Sequence, residues 1–284
     1  MDTVSALKLT KQGATKALNA AFEAAKTYGR GVGVAVVDDG GNLMFFDRSD
    51  DAELISITVA QAKARAAAMT RFPTGKKSGA GNERTDHHAL AITLAAGTDR
   101  FVTMEGGVPI KVDGQVVGGV AVSGAGHHDG EIAKAAAAVL DVKDTVSVLK
   151  LTRQGAYKVL NATVEAAKTY GRGVGVAVVD DGGNLMLFDR TDDAELISIT
   201  VAQAKARAAA MTRFPTGKKS AAGNERTDHH ALAITLAAGT DRFVTMEGGV
   251  PIKVKGQVVG GVAVSGAGHK DGDIAKVGAA VLDV

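Results

Sequence analysis

The stretch GVGVAVVDDGGNLMFFDR, residues 31–48, decides how this chain folds. Val32 to Val37 and Leu43 to Phe46 are two strand-forming apolar runs, and Asp-Asp-Gly-Gly stands between them. Glycine and aspartate supply the positive φ angles that a tight turn needs, so the stretch predicts an antiparallel hairpin. It returns at residues 173–190 with one change, Leu187 for Phe45.

Outward from the hairpin the repetition continues. Offset by 142 residues, the sequence matches itself with only 15 differing positions, so the chain is one domain-sized unit written twice. A period this long belongs to a domain with its own core and not to a solenoid module. Two near-identical domains are expected, residues 1–142 and 143–284. The junction VLDVKDTVS holds no proline-rich or glycine-rich tether, which predicts the two halves packed on each other as a covalent pseudo-dimer. Most differences are mild, but Asp113 against Lys255 and His128 against Lys270 make the halves electrostatically unequal.

Within one unit, apolar residues at Ala14, Leu18, Ala21, Phe22 and Ala25 fall at helical spacing, and Gly29 closes a predicted helix over Thr10 to Tyr28. Ile55 to Phe72 is alanine-rich, stops before Pro73 and reads as a second helix. After the polar loop PTGKKSGAGNERT comes a third, carrying the His-His pair and ending at Gly97. The segment RFVTMEGGVPIKVDGQVVGGVAVSGAG predicts a short strand, a glycine turn, and a hairpin of Ile110 to Val112 with Gln115 to Val122 around Asp113-Gly114. A last helix covers Asp129 to Leu140. The order α-β-β-α-α-β-β-β-α puts hairpins between helices and predicts an α+β fold, an antiparallel sheet in a three-layer sandwich.

Composition narrows the function. Lys plus Arg is 33 against 31 for Asp plus Glu, interspersed, which argues against nucleic acid as a partner. No apolar run approaches the roughly 20 residues of a membrane span, and no secretory leader is visible at the N-terminus, so a cytoplasmic location off the membrane is expected. With no cysteine there is no thiolate nucleophile, and metal chemistry would fall to His, Asp, Glu or a bound cofactor. The GxSxG, HExxH and Walker signatures are missing.

The combination of VAVVDDGGNLMFFDR, AKARAAA and GGVPIKVDGQVVGGVAVSG, present in both halves, resembles the GlcG/HbpS family, the haem-degrading or DUF336 domain. The resemblance covers nearly all of each unit. It implies a profilin-like fold, a central antiparallel sheet of about five strands with helices on both sides, and assembly into dimers or larger homo-oligomers. It implies a small-molecule ligand, haem for some members, while others accompany diol utilisation or glycolate oxidation. No iron ligand is carried over to any residue.

Three constellations hold the candidate chemistry. The first is NERTDHHALAITLAAG, residues 82–97 and 224–239. A helix starting at Asn82 would set Glu83 and His87, with Glu225 and His229, one turn apart as ligands to a divalent metal. If Asp86 caps the helix instead, His87 and His88 (His229 and His230) sit in its first turn as acid-base groups or anion ligands, with Arg84 and Arg226 nearby. The plain alternative makes His87 a partly buried structural residue and His88 an exposed one. The second is the glycine turn SGAGHHDGEIAK, where Gly124, Gly126 and His127, and likewise Gly266, Gly268 and His269, could hold a phosphate, a carboxylate or a haem propionate. The third is TMEGGVPI, where Glu105 and Glu247 could act as general bases. Arg48, Lys63 and Arg65 could counter a carboxylate but read first as solvated charges. The expected function is small-ligand binding, of haem or another anion, with His-based chemistry on a small oxygenated or hydroxy-acid substrate as the alternative.

Overall fold

The computed structural model describes residues 1–282. The hairpin forms: β2 (Gly33–Asp38) pairs antiparallel with β3 (Leu43–Arg48). Its turn is held by Asp38, whose Oδ1 accepts from the Gly40 and Asn42 amides at 2.9 and 2.8 Å, while Gly41 takes φ +81°. The second hairpin joins β4 (Gly107–Val112) to β5 (Gln115–Ser123) through Asp113 and Gly114, both at positive φ as a type I′ turn requires. In the second half Lys255 takes that left-handed position.

Two compact units emerge. One holds residues 6–148; the other holds residues 1–5 with those from 149 on. Each contains one four-stranded antiparallel sheet, in the order β3-β2-β5-β4 for the first. The second unit builds its sheet from β7 (Gly175–Asp180), β8 (Leu185–Arg190), β9 (Gly249–Val254) and β10 (Gln257–Ser265) in the order β8-β7-β10-β9. Both are α+β, with helices on the two sides of an antiparallel sheet.

In the first unit the two faces of the sheet are chemically different. Val34, Val36, Val120, Val122 and Ile110 point into an aliphatic core shared with α1 (Lys11–Ala25) and α4 (Asp129–Ala138). The opposite face offers Ala35, Val37 and Ala121, against which α2 (Ser56–Thr70) lays Ala60, Ala64 and Ala68, an i, i+4, i+8 stripe of methyl groups. Small residues on both sides bring this helix unusually near the strands. Phe46 closes the edge of that cluster.

Helix ends follow their sequence signals. Thr10 caps α1 by accepting from the Gly13 amide, and Gly29 ends the helical segment in the left-handed conformation. The Thr10 amide and hydroxyl both donate to the Asp144 carbonyl, whose carboxylate pairs with Lys16 at 2.8 Å. In the second unit Asp2 does the same for Thr152, at the start of α5 (Arg153–Lys168), and pairs with Lys158. One pair of differences between the halves is complementary in size. Where the first unit has Ala21 and Ala136, the second has Thr163 and Gly278, and a Cβ on Gly278 would collide with the Thr163 hydroxyl.

The structure departs from the sequence expectations at three points. A strand, β1 (Thr3–Leu9), precedes the first helix, and its counterpart is β6 (Thr145–Leu151); both stand outside the four-stranded sheets. Those sheets have four strands where the resemblance implied about five. The short strand expected in RFVTM does not form, and it is Thr74 that meets the start of β4, donating its amide to Gly107 O at 2.9 Å and accepting at its hydroxyl from Gly107 N at 2.8 Å. Among the described residues no helix is long and apolar enough to cross a membrane.

Ser56 and Ser198 are buried, and their hydroxyls have no hydrogen-bond partner. Ser56 Oγ packs against Gly33, where a Cβ could not fit. Removing an unsatisfied buried hydroxyl relieves its desolvation cost, so Ser56→Ala should raise stability by about 1 kcal/mol in urea unfolding. A loss of stability would show that the hydroxyl has a partner after all.

Candidate functional site

The third helix, α3 (Asp86–Ala96), starts with Thr85 as its N-cap, the Thr85 hydroxyl accepting from the His88 amide at 3.2 Å. Glu83 therefore lies before the helix, in a bridge with Lys77, and the one-turn spacing that would pair it with His87 does not arise. Glu225 stands likewise against Lys219, before α7 (Asp228–Ala238). No group of three or more His, Asp or Glu side chains able to hold a metal comes together among the described residues. His87, His88, His229 and His230 are all exposed, so His87 is not the partly buried residue of the plain alternative. The reason is that α3 buries only Ala89, leaving Leu90 and Leu94 61% and 62% exposed.

Arg84 is a loop staple. Its guanidinium donates to the carbonyls of Gly75 and Lys77 at 3.1 and 2.9 Å, and Arg226 repeats this on Gly217 and Lys219. The loop so closed, residues 72–84, is fixed to the sheet through Thr74 and Gly107.

The glycine turn after β5 already holds an anion of its own. Gly124 and Gly126 take positive φ, and the Ala125 amide between them donates to Asp129 Oδ1 at 2.8 Å. Asp129 is buried and faces Lys63, whose ammonium donates to Asp129 Oδ2 at 2.8 Å and to Val122 O at 3.0 Å. Lys63 is 1% exposed, a correction to its reading as a solvated charge. Gly266, Gly268, Asp271 and Lys205 repeat the arrangement. His127 lies outside it, exposed, with its ring 3.9 Å from that of His128. His128 stacks on Tyr28 at 4.2 Å and approaches Glu131 at 3.2 Å. Hydrogen bonds from His128 and then Tyr28 hold the Glu131 carboxyl below the usual carboxylate range. In the second unit Lys270 replaces His128, and His269 is exposed.

Two adjoining recesses open above this framework in the first unit. One, of about 440 Å³, lies between the 72–77 loop, the Glu105-Gly106-Gly107 turn and the start of α4, with Phe72, Pro73 and Val108 as apolar wall and Lys76, Lys77 and Lys134 as cations. The other, of about 570 Å³, lies between α3 and residues 102–105, lined by Ala89, Leu90, Thr93, Val102 and Met104. Lys76 and Glu105 border both. The volumes suit a small organic ligand. Lys76 is paired with Asp86 at 2.8 Å, and that hydrogen bond and charge hold its ammonium above the usual lysine range. Lys218 and Asp228 make the same pair in the second unit, where a recess of about 320 Å³ adjoins Phe214, Pro215 and Lys219.

Of the residues singled out in the sequence, the structure brings Glu83 and Glu105 to one recess and leaves the histidines outside both. The helical wheel of α3 shows why. Asp86, Ala89, Leu90 and Thr93 face the larger recess, which turns His87 about 110° and His88 about 150° away from it. The cations of the 76–77 pair and Lys134 were not foreseen. Their signal was the basic doublet inside a proline- and glycine-bearing loop.

Sheet and flanking helices define one α+β scaffold made twice. The model of the family described as "Haem degrading protein HbpS-like" matches residues 9–138 and again 151–281, and the chain belongs to that family. Among individual proteins it is similar to Protein GlcG of Escherichia coli K12, 40% identical over 116 residues, which is 40% of this chain and 81% of GlcG. An uncharacterized 15.0 kDa protein of Citrobacter freundii, from the dhaT-dhaS intergenic region, is 32% identical over 119 residues, 42% of this chain and 82% of that one. Among solved structures, a double mutant of Streptomyces reticuli HbpS is 38% identical, with a TM-score of 0.41 over 48% of this chain and 88% of its own.

Proposed function

We propose that each unit binds haem, or a closely similar flat anionic molecule, in the cleft bordered by Lys76 and Glu105. The observation that carries this is the pairing of an apolar wall with a cationic margin, in a chain whose family is described as haem degrading. A porphyrin needs both: apolar side chains for its faces and cations for its two propionates. Leu90, Val102 and Met104 offer the first; Lys76, Lys77 and Lys134 offer the second. The residues present therefore fit the group. Bound there, it would supply an iron centre; the chain's part is to orient it and shield one face from water.

The Asp129 carboxylate and Lys63 hold the floor of the cleft without reaching into it, since both are buried and spent on each other. Binding then depends on the exposed lysines. Titrating the full chain with haemin should shift the Soret band and saturate at one haemin per unit. Charge reversal at Lys76 and Lys134, with Lys218 and Lys276, should weaken binding in each unit by about thirtyfold or more, since two lost carboxylate contacts at about 1 kcal/mol or more each add together. An unshifted Soret band, or equal affinity in the reversed variant, would reject the reading.

A further inference from the structure

We propose that the seat at the start of α5, which in this chain holds residues 1–5, is a docking site for the same segment of a second copy, so that two chains assemble by exchanging these five residues. The segment Asp-Thr-Val-Ser occurs twice, at residues 2–5 and 144–147, each time eight residues ahead of a capping threonine, Thr10 or Thr152. Neither copy serves the helix that follows it. Residues 1–5 fold with the unit that resumes at Leu149, and Asp144 stays with the unit that ends at Val148.

The seat in the second unit reads main chain and charge together. The Thr152 amide and hydroxyl both reach the Asp2 carbonyl at 3.0 Å, and the hydroxyl is shared with the Met1 carbonyl at 2.7 Å. Lys158 pairs with the Asp2 carboxylate at 2.8 Å, and Gln154 Oε1 accepts from the Met1 nitrogen at 2.6 Å. Gly155, buried in the first turn of α5, is what admits the segment, because a Cβ there would run into the Asp2 carbonyl oxygen. Gly13 leaves the same room for Asp144. The two seats are not held equally. Asp144 Oδ2 takes the Asp141 amide at 3.0 Å besides the Lys16 ammonium, within a capping box. Asp2 Oδ1 is buried with no hydrogen-bond partner, a cost that offsets part of what the other contacts supply. The segment of the second unit is therefore the one that releases, with its hinge between Ser5 and Ala6, where the two units divide. A second copy offers the identical segment, so every contact of the seat is remade between chains. Reciprocal exchange closes as a two-fold dimer, a low-cost route to assembly.

The chain has no cysteine, so one introduced thiol marks one place. The test uses two full-length variants, each checked for folding by circular dichroism: Val4→Cys, half exposed in the segment, and Gln154→Cys at the seat. They are mixed, refolded together from urea and treated with a flexible bis-maleimide. The mixed dimer, Val4→Cys joined to Gln154→Cys, should be the dominant crosslinked species on a denaturing gel, above either like-with-like product. Adding Gly155→Ala to the seat-bearing chain should abolish that band, since the methyl fills the space of the Asp2 carbonyl while alanine favours the helix. Excess synthetic peptide of residues 1–9, MDTVSALKL, should suppress it as well, and this arm does not depend on how the Gly155→Ala chain folds. Absence of the mixed dimer, or a mixed dimer that the peptide leaves undiminished, overturns the proposal.

Discussion

Replacing Lys63 by methionine is expected to lower the stability of its unit by about 3–5 kcal/mol, the cost of stranding a buried charge. The ammonium donates to Asp129 Oδ2 at 2.8 Å and to the Val122 carbonyl at 3.0 Å, and Asp129 Oδ1 takes the Ala125 amide at 2.8 Å. This pair ties α2, the end of β5, the glycine turn and the first residue of α4 into one polar node inside an otherwise apolar interior. Methionine keeps the aliphatic stem and its packing, so the change isolates the charge. What remains is an aspartate 4% exposed, with no cation beside it. Adding Asp129→Asn removes that orphaned charge and still leaves an oxygen for the Ala125 amide, so the double variant should recover part of the loss. Urea unfolding of the full chain would read this directly. With Lys205 intact, the second unit serves as an internal standard, and the single variant should unfold in two steps. A single transition at the wild-type midpoint would show that the node contributes little.

The node also marks where sequence reasoning stopped. The hairpin at residues 33–48 was legible because its signals are local: two strand-forming apolar runs and a turn whose Asp38 and Gly41 act within four residues of each other. The helix cap at Thr85 was nearly so, one residue from Asp86, the later of the two starts the sequence allows, since capping depends only on neighbours. Lys63 carries no such signal. In an alanine-rich helix a lysine reads as solvated, and its burial is decided by Asp129, 66 residues away. The histidine doublet is the opposite case. Its local chemistry was suggestive, but the direction of each imidazole is set by which stripe of α3 meets residues 102–105. The lysines of the cleft are similarly invisible until the 72–77 loop is brought beside the 105–107 turn and the start of α4.

Introducing a side chain at Gly119 is expected to break the other close contact on which the fold depends. Gly119 lies in β5 opposite Val37 of β2, on the face covered by α2. A Cβ there would run into the carbonyl oxygen of Ala64 and lie 3.1 Å from the Ala68 amide nitrogen. Both are helix backbone, so no rotamer change can make room. The alanine stripe of α2 has no larger side chain to withdraw, and the helix would have to lift off the sheet, opening contacts at Ala35 and Ala121. Gly119→Ala should therefore cost about 1–3 kcal/mol, the usual penalty of overpacking, and Gly119→Val more. Because the obstruction is main chain, Ala68→Gly should fail to rescue Gly119→Ala, whereas a clash with the Ala68 methyl would be relieved by it. The lifted helix would also carry Lys63 with it, and a Cβ on Gly107 meets the Lys63 carbonyl in the same way. Gly119→Val should consequently weaken haemin binding in its own unit while the second unit, with Gly261 unchanged, still binds. Halved stoichiometry with one retained high-affinity site is the expected result; full stoichiometry would mean that the cleft does not depend on how closely α2 lies on the sheet.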